Sequence, residues 1–182
     1  MSKSIVKFED LIQIEPITKN QVKAFESWAD GENLVLAGSA GTGKTFVAMY
    51  LALQTSLEPS TPYHKVVVVR SIVPTRDMGY LPGTKEEKVE PFETPYKTIS
   101  LELFDYDSAV YNKLINNHQM EFITTSFVRG TQLNNAIVII DEMQNLNFHE
   151  LDSVITRIGQ DCRVIFSGDY YQSDFREGYE RD

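Results

Sequence analysis

Gly38-Ser39-Ala40-Gly41-Thr42-Gly43-Lys44-Thr45 is the stretch that decides the fold of this chain. It has the spacing of a phosphate-binding loop, in which four residues separate two glycines and a lysine and a hydroxyl residue follow. The apolar run Leu34 to Ala37 precedes the loop, and a run with helical composition, Phe46 to Leu53, follows it. The loop is therefore predicted to lie between a strand and a helix, which is the context in which this motif binds phosphate.

The chemistry of the loop follows from its residues. Glycines allow backbone N–H groups to converge on phosphate oxygens, and the positive end of the helix that continues at Phe46 adds to the attraction. The Lys44 ammonium can reach the β- and γ-phosphates, while the Thr45 hydroxyl can bind Mg²⁺. Residues 38–46 thus predict a nucleoside triphosphate site with a magnesium ion.

The composition limits what else the protein can be. A length of 182 residues suits one domain with a proper core, so residues 1–182 are predicted to form a single domain. The net charge of −9 argues against a broad electropositive surface for nucleic acid and leaves room for a local basic groove. We see neither a signal sequence nor an apolar run of about 20 residues, and we therefore expect a soluble, cytoplasmic protein.

Cysteine and histidine give no sign of a structural metal centre. The single cysteine, Cys162, lies in an apolar, strand-like stretch, where a reduced and inert core thiol is expected. His64, His118 and His149 are scattered without partners at ligand spacing, so we expect each of them on the surface or in a loop.

Apolar runs alternate with helical segments along the chain. Four runs without polar alternation are typical of strands buried on both faces of a parallel sheet, namely Leu34 to Ala37, Val66 to Val69, Ala136 to Ile140 and Val164 to Phe166. Glu121 to Thr124 is a candidate fifth strand. The pattern predicts an α/β fold with a mostly parallel sheet and helices on both faces.

A segment rich in proline and glycine interrupts this alternation. Residues 71–96 hold four of the seven prolines together with Gly79 and Gly83, a composition that disfavours helix over much of the segment. We interpret it as a long loop insertion that lies over the nucleotide face or reaches toward a partner. The alternative is a tolerated surface excursion without a function.

Two carboxylates follow the apolar run that ends at Ile140. Asp141 and Glu142 are expected at the carboxyl edge of a parallel sheet, where the phosphate loop also lies. Asp141 can hold the magnesium shell beside Thr45, and Glu142 can orient and deprotonate a water for attack on the γ-phosphate. This pair suits hydrolysis better than transfer to a metabolite, so a small-molecule kinase is a weaker alternative.

Two glutamines have both a functional and a structural interpretation. Gln172 can contact the γ-phosphate through its amide, and Asp169 can orient the surroundings of the metal, but Gly168-Asp169 is also an ordinary turn signal. Gln21 can make a bidentate contact with adenine, but Thr18-x-x-Gln21 is also a capping box. A GTPase is disfavoured, because the nearest match to a guanine-binding motif, at residues 112–115, lacks the aspartate.

These stretches together resemble the PhoH family of phosphate-starvation-inducible ATPases, which are RecA-like relatives of superfamily-one helicases. The resemblance runs from about Ile17 to Phe175. Besides the phosphate loop it includes Arg70 with Gly79 to Gly83 and Glu87 to Pro91, Phe127 to Asn135, Asp141 to Asn145, Thr156 to Gly159, and Gly168 to Gln172. It implies a RecA-like P-loop fold for the whole domain.

The resemblance also implies a function. Family members are expected to bind and hydrolyse ATP with Mg²⁺, to assemble into a hexameric ring, and to act on RNA or another nucleic acid in a helicase-like way. The family's roles transfer to Lys44, Thr45, Asp141, Glu142 and Gln172, and less securely to Gln21. Arg129 and Arg157 lie in matching segments, and either is a candidate arginine finger for a neighbouring subunit.

The resemblance has one departure near the end of the chain. Family members continue for several tens of residues beyond the Gly168 to Gln172 stretch, so we expect a C-terminal family segment to be missing from a chain that stops at Asp182. Such proteins are often carried by phages, and the short length suits a phage source and a place in the host cytoplasm. The alternative to an ATPase is a nucleotide-dependent assembly or regulatory module with little turnover of its own.

Overall fold

The computed structural model describes residues 5–72 and 85–169. The helices are α1 (Lys19–Ala29), α2 (Lys44–Leu57), α3 (Lys85–Leu103), α4 (Val110–Asn116), α5 (Thr125–Val128) and α6 (Phe148–Ile155), with 3-10 turns at Phe8–Asp10 and Met143–Asn145. The strands are β1 (Leu34–Ala37), β2 (Lys65–Arg70), β3 (Met120–Thr124), β4 (Ala136–Asp141) and β5 (Cys162–Gly168). All five predicted strands are therefore present, including the candidate at Glu121 to Thr124.

The five strands form one sheet in the order β1-β5-β4-β2-β3, and each pairing between them is parallel. The α/β prediction is thus confirmed. Although β5 comes last in the sequence, it lies between β1 and β4. Ala37 is in register with Gly168, and Arg70 is in register with Asp141. This order brings the glycine loop, the end of β5 and the acidic end of β4 to the same edge of the sheet.

The core has an apolar layer on each face of the sheet. Residues of β2 alternate between the layers, so Val66 and Val68 pack in one and Val67 and Val69 in the other. The first layer includes the buried run of α2 from Val47 to Leu53, and the second includes Val154 of α6. Burial on both faces explains why the central strands are apolar without alternation.

Helix α3 corrects our interpretation of residues 71–96 as a loop in its second part, from Lys85 onward. The helix begins at Lys85 and contains Pro91 and Pro95, while residues 73–84 lie outside the described residues. A proline in a helix interior costs about 3 kcal/mol. Tertiary packing offsets that cost, because Tyr96, Ser100 and Leu103 follow one another at helical spacing and are fully buried. The proline content therefore predicted the low intrinsic helix propensity of this segment, but not the helix that it forms once packed against the rest of the protein.

The remaining expectations on single residues are mostly met. All three histidines are exposed, and Cys162 is a free thiol at the start of β5, half-buried rather than deep in the core. Across residues 5–72 and 85–169, no helix is both long enough and apolar enough to cross a membrane.

Glu150 of α6 ties the helix to the carboxyl ends of two strands. Its carboxylate accepts hydrogen bonds from the hydroxyls of Ser71 (3.0 Å) and Thr125 (2.7 Å) and from the backbone N–H of Asn147 (3.0 Å). Burial raises the pKa of Glu150, but these three hydrogen bonds outweigh it and leave the pKa below its ordinary value. The ionised carboxylate thus stabilises the edge of the sheet on which the glycine loop lies.

We expect Glu150→Gln to lower the free energy of unfolding by about 1 kcal/mol at neutral pH, because an amide N–H would face donors in place of an oxygen. A depressed pKa gives stability above the unfolded glutamate pKa, about 4.3, and this stability is lost as the pH falls through the folded pKa. The difference between the two proteins should therefore vanish in acid. Urea unfolding from pH 3 to 7 measures it. Asp152→Asn, an exposed change on the same helix, is the control, and an equal effect there would contradict the assignment.

Candidate functional site

The glycine loop joins β1 to α2 in a conformation that its glycines make possible. Gly41 has a φ of 75° and Gly43 a φ of 77°, in the left-handed region that costs other residues about 1–2 kcal/mol. Gly43 is the N-cap of α2, whose first backbone hydrogen bond runs from Val47 N to Gly43 O. The N–H groups of the first turn have no partner within the helix and can bind an anion.

The Lys44 side chain lies within the curve of the loop. Its ammonium donates hydrogen bonds to the carbonyl oxygens of Gly38 and Ser39, each at 2.7 Å. The Thr42 hydroxyl donates to the Ser39 carbonyl at 2.8 Å and tightens the same turn. The positive charge of Lys44 is therefore placed where phosphate oxygens bound by the loop would meet it.

Among the described residues, two cavities flank the loop, and both are lined by Thr42, Gly43 and Lys44. The first, of about 370 Å³, also includes Glu142 and Asp169 in its wall, so we call it the phosphate cavity. The second, of about 330 Å³, is lined by Gln21 together with apolar residues that include Leu36 and Val47. We call it the base cavity. A phosphate chain on one side of the loop and a ring on the other is an arrangement that suits a nucleotide.

Asp141, at the end of β4, faces both the loop and helix α3. The Thr45 hydroxyl donates to its carboxylate oxygens at 3.1 and 3.3 Å, and the Tyr96 hydroxyl donates to Oδ2 at 2.7 Å. Burial raises the pKa of Tyr96 and so does the charge of Asp141, while the nearby Arg70 opposes them. The tyrosine pKa therefore stays far above its usual range, and its hydroxyl remains a donor to the carboxylate.

The residues at Asp141 fit a magnesium ion that also binds phosphate. Within residues 5–72 and 85–169, no three or more His, Cys, Asp or Glu side chains cluster as an all-protein metal site. Mg²⁺ is commonly bound by one or two protein oxygens plus substrate phosphates, and the Thr45 hydroxyl and Asp141 carboxylate supply oxygens of that kind. The two residues that would hold the ion are thus in contact with each other, as the sequence predicts.

Glu142 is held in an unusual backbone conformation beside the loop. Its φ of 50° and ψ of 45° are left-handed, which costs a non-glycine residue about 1–3 kcal/mol and is often found at functional sites. The carboxylate accepts a hydrogen bond from the Gln144 amide, and the same amide accepts one from Asp169 N at 2.9 Å. Gln144 therefore connects Glu142 to the end of β5.

Gly168 allows that connection. A Cβ at this position would lie 2.7 Å from Gln144 Oε1 and 2.6 Å from Met143 Cγ, both closer than real side chains approach. The absence of a side chain thus lets β5 come within hydrogen-bonding distance of Gln144. The turn interpretation of Gly168-Asp169 is incomplete, since the glycine is needed for a close approach.

We expect Gln144→Ala to reduce turnover about tenfold, because Glu142 would lose the partner that orients it. Removing the amide also leaves the buried Asp169 N–H without its acceptor, which costs about 1–3 kcal/mol of stability. Steady-state hydrolysis and thermal melting measure the two effects. Asn145→Ala, an exposed neighbouring change, is the control. Unchanged turnover in a destabilised Gln144→Ala protein would show that Gln144 has only a structural role.

The two glutamines predicted as site residues, Gln21 and Gln172, have different outcomes. The capping box is confirmed, since Gln21 Oε1 accepts from the backbone N–H groups of Ile17 (2.8 Å) and Thr18 (3.3 Å). Gln21 also lines the base cavity, so a contact with adenine stays a prediction, but Oε1 already accepts two backbone hydrogen bonds and the structure leaves only the amide N–H groups for it rather than the predicted bidentate contact. Gln172 lies outside the described residues.

Neither candidate arginine lies at the phosphate cavity of its own chain. Arg129 is exposed and follows β3 and α5, at the end of the sheet order opposite to β1. Arg157 follows α6, and its carbonyl accepts from Leu133 N, close before the amino end of β4. Their assignment as arginine fingers stays a prediction.

Sequence reasoning missed two residues of the site, Tyr96 and Gln144. Tyr96 belongs to the segment that was interpreted as a loop, so no local signal pointed to a contact with Asp141. Gln144 lies three residues after Asp141, within the stretch from Asp141 to Asn145 that resembles the family. That resemblance was the sequence feature from which a role in the site could have been inferred.

Comparison with known proteins gives one consistent family. The family described as PhoH-like protein matches residues 13–182. Protein PhoH2 of Bacillus subtilis is 37% identical over 153 residues, which cover 78% of this chain and 32% of that protein. A PhoH-like protein of Mycobacterium leprae is 30% identical over 167 residues, covering 91% of this chain and 46% of that protein. A PhoH-like protein of Synechocystis is 35% identical over 138 residues, which cover 75% of this chain and 41% of that protein. The chain thus spans 32% to 46% of the length of these relatives.

Proposed function

The chain belongs to the PhoH-like family of nucleotide-binding P-loop proteins, and from this premise we propose that it binds ATP with Mg²⁺, hydrolyses it, and couples hydrolysis to RNA or another nucleic acid. The observation that carries the proposal is the position of Glu142. A carboxylate with the ability to act as a base lines the same cavity as Lys44 and Thr45, and it is held there by Gln144.

The proposed mechanism assigns one task to each part of the site. The loop N–H groups and the Lys44 ammonium bind the β- and γ-phosphates. Thr45 and Asp141 are the residues that would hold Mg²⁺, and the ion would supply positive charge against those phosphates. Glu142 accepts a proton from a water as the water oxygen attacks the γ-phosphorus and the bond to the bridging oxygen of ADP breaks.

The base cavity supports ATP as the nucleotide. Gln21 lines this cavity, and because its Oε1 is used by the capping box, its amide N–H groups are the donors proposed for an adenine ring nitrogen. Leu36 and Val47 supply apolar surface against a flat base. Gln172 is proposed to contact the γ-phosphate through its amide.

Completion of the site by a second copy is part of the proposal. Lys44 is the cationic side chain among the described residues that line the phosphate cavity, and Arg129 and Arg157 lie elsewhere. An arginine finger increases phosphoryl transfer about 10³- to 10⁵-fold when it is supplied in trans. We therefore propose that Arg129 or Arg157 acts in a neighbouring subunit of a ring, as the resemblance implies.

This arrangement also supports the second candidate function. A chain whose site needs an arginine from a neighbouring subunit can bind ATP alone with little turnover. A nucleotide-dependent assembly or regulatory module would behave in the same way. The two functions differ in how turnover depends on protein concentration and on nucleic acid.

The test is ATP hydrolysis with Mg²⁺ over a range of protein concentrations, with and without single-stranded RNA. Turnover per chain that rises with concentration and rises again with RNA supports the nucleic-acid-coupled ATPase. If neither RNA nor DNA changes turnover, the proposed coupling of hydrolysis to nucleic acid is rejected. ATP binding without turnover at every concentration would favour the assembly module.

A further inference from the structure

Tyr96 connects helix α3 to the carboxylate that is proposed to hold the metal. The tyrosine is fully buried and Asp141 is 3% exposed, so water does not compete for the 2.7 Å hydrogen bond between them. The Tyr96 ring packs in the apolar core, whereas its hydroxyl makes a polar contact with Asp141 that the ring by itself would not make. The hydroxyl therefore has an effect that the ring does not.

The tyrosine ring is itself held from several sides. It lies 5.5 Å, centroid to centroid, from the Phe122 ring on β3, and the helix that bears it continues into the buried residues Ser100 and Leu103. Arg70, at the end of β2, is close enough for its charge to act on the hydroxyl. Because the position of the Tyr96 hydroxyl is restricted in this way, its hydrogen bond can restrict the orientation of the Asp141 carboxylate.

The effect on Asp141 is one of orientation. A carboxylate can rotate about its Cβ–Cγ bond, and rotation exchanges the oxygen that faces the loop. Tyr96 binds Oδ2, and the shorter of the two contacts from Thr45 is to Oδ1. Oδ2 thus accepts from the tyrosine and, at the longer distance of 3.3 Å, from the threonine, while Oδ1 faces the threonine whose hydroxyl is the second proposed metal ligand.

We propose that Tyr96 is a positioning residue for the metal, because it sets the carboxylate of Asp141 so that Oδ1 and the Thr45 hydroxyl face Mg²⁺ together. The inference rests on the proposed function, in that it assumes a magnesium nucleotide at this site. It adds a residue from α3 to a site otherwise built from the loop and the ends of β4 and β5. It also means that a shift of α3 would change metal affinity without any change in the loop.

The experiment compares Tyr96→Phe with Tyr111→Phe. In the described part of the chain Tyr111 Oη is buried and has no hydrogen-bond partner, so its removal is a matched loss of a buried tyrosine hydroxyl. Binding of a non-hydrolysable ATP analogue is measured in a titration with Mg²⁺ and, separately, with a chelator. We expect Tyr96→Phe to weaken Mg²⁺ binding to the nucleotide complex about tenfold, with analogue affinity in chelator unchanged. Tyr111→Phe should change neither quantity.

Wild-type Mg²⁺ affinity in Tyr96→Phe would overturn the inference, as would an equal loss of analogue affinity with and without the metal. A wild-type protein whose analogue binding does not respond to Mg²⁺ would also overturn it. A wild-type protein that binds the magnesium complex but does not hydrolyse ATP would contradict the proposed function alone, since this titration does not depend on turnover. If Tyr96→Phe melts early, the same titration in an Asp141→Ala background decides, because alanine leaves no oxygen for the tyrosine to orient, so its effect must disappear there and a persisting loss would overturn the proposal.

Discussion

Replacing Lys44 with alanine is expected to weaken ATP binding about 100-fold or more, and with it to remove hydrolysis at ordinary ATP concentrations. The ammonium lies within the loop, 2.7 Å from two of its carbonyl oxygens. A phosphate chain bound in this partly enclosed cavity would therefore contact the ammonium in place of water. A lost charge-assisted hydrogen bond costs about 1.5–3 kcal/mol, and Lys44 is placed to make more than one of them.

Calorimetric titration with a non-hydrolysable ATP analogue measures this effect directly. Lys23→Ala is the matched control, because Lys23 is exposed on α1 and lines neither cavity. The loop also loses the two hydrogen bonds from Lys44, so the melting temperature of Lys44→Ala should be recorded beside the affinity. An analogue affinity within threefold of wild type in a folded Lys44→Ala protein would show that the loop is not a phosphate site.

Glu142→Gln should leave ATP binding intact and reduce turnover by about 10² to 10⁴, the range expected when a general base is removed. The glutamine has the same shape and can still accept the hydrogen bond from the Gln144 amide, so the local structure should persist. What it cannot do is accept a proton from the attacking water. Binding and chemistry are therefore predicted to separate in this variant, whereas Lys44→Ala affects binding first.

Single-turnover hydrolysis together with analogue binding tests this separation. Glu102→Gln provides the control, since it makes the same charge change at an exposed position near the end of α3. Equal losses of affinity and turnover in Glu142→Gln would remove the base assignment and indicate a role in binding. Full turnover would place the base elsewhere, and the assembly module would gain support only if wild-type turnover were also absent.

Several features of the fold could be predicted because they depend on neighbours in the chain. Val66 to Val69 and Ala136 to Ile140 are apolar without alternation, and that pattern follows directly from burial on both faces of a parallel sheet. The capping box at Thr18 and the order of strand, glycine loop and helix are also local, since each involves residues within a few positions of one another. Such features were correct without knowledge of the tertiary structure.

Helix α3 shows where local reasoning fails. Pro91 and Pro95 disfavour a helix, and the sequence within reach of them gives no sign of the compensating burial of Tyr96, Ser100 and Leu103. The compensation comes from strands and helices that are distant in the sequence, and tertiary context of this kind overrides propensity. Because residues 85–96 were predicted as loop rather than helix, Tyr96 was not considered as a site residue.

By itself the sequence determined the chemical groups of the site, because the loop from Gly38 to Thr45 and the pair Asp141 and Glu142 are continuous stretches. The strand pattern also predicted that Asp141 lies near Thr45, because both follow parallel strands, while the tertiary structure decided the contacts themselves and added Tyr96. Thr45 and Asp141 are 96 positions apart, and Tyr96 and Asp141 are 45 apart, so their contacts exist only because β5 and the helical crossovers set the order of the strands. A contact between distant residues depends on the path of the whole chain, and no local pattern encodes it.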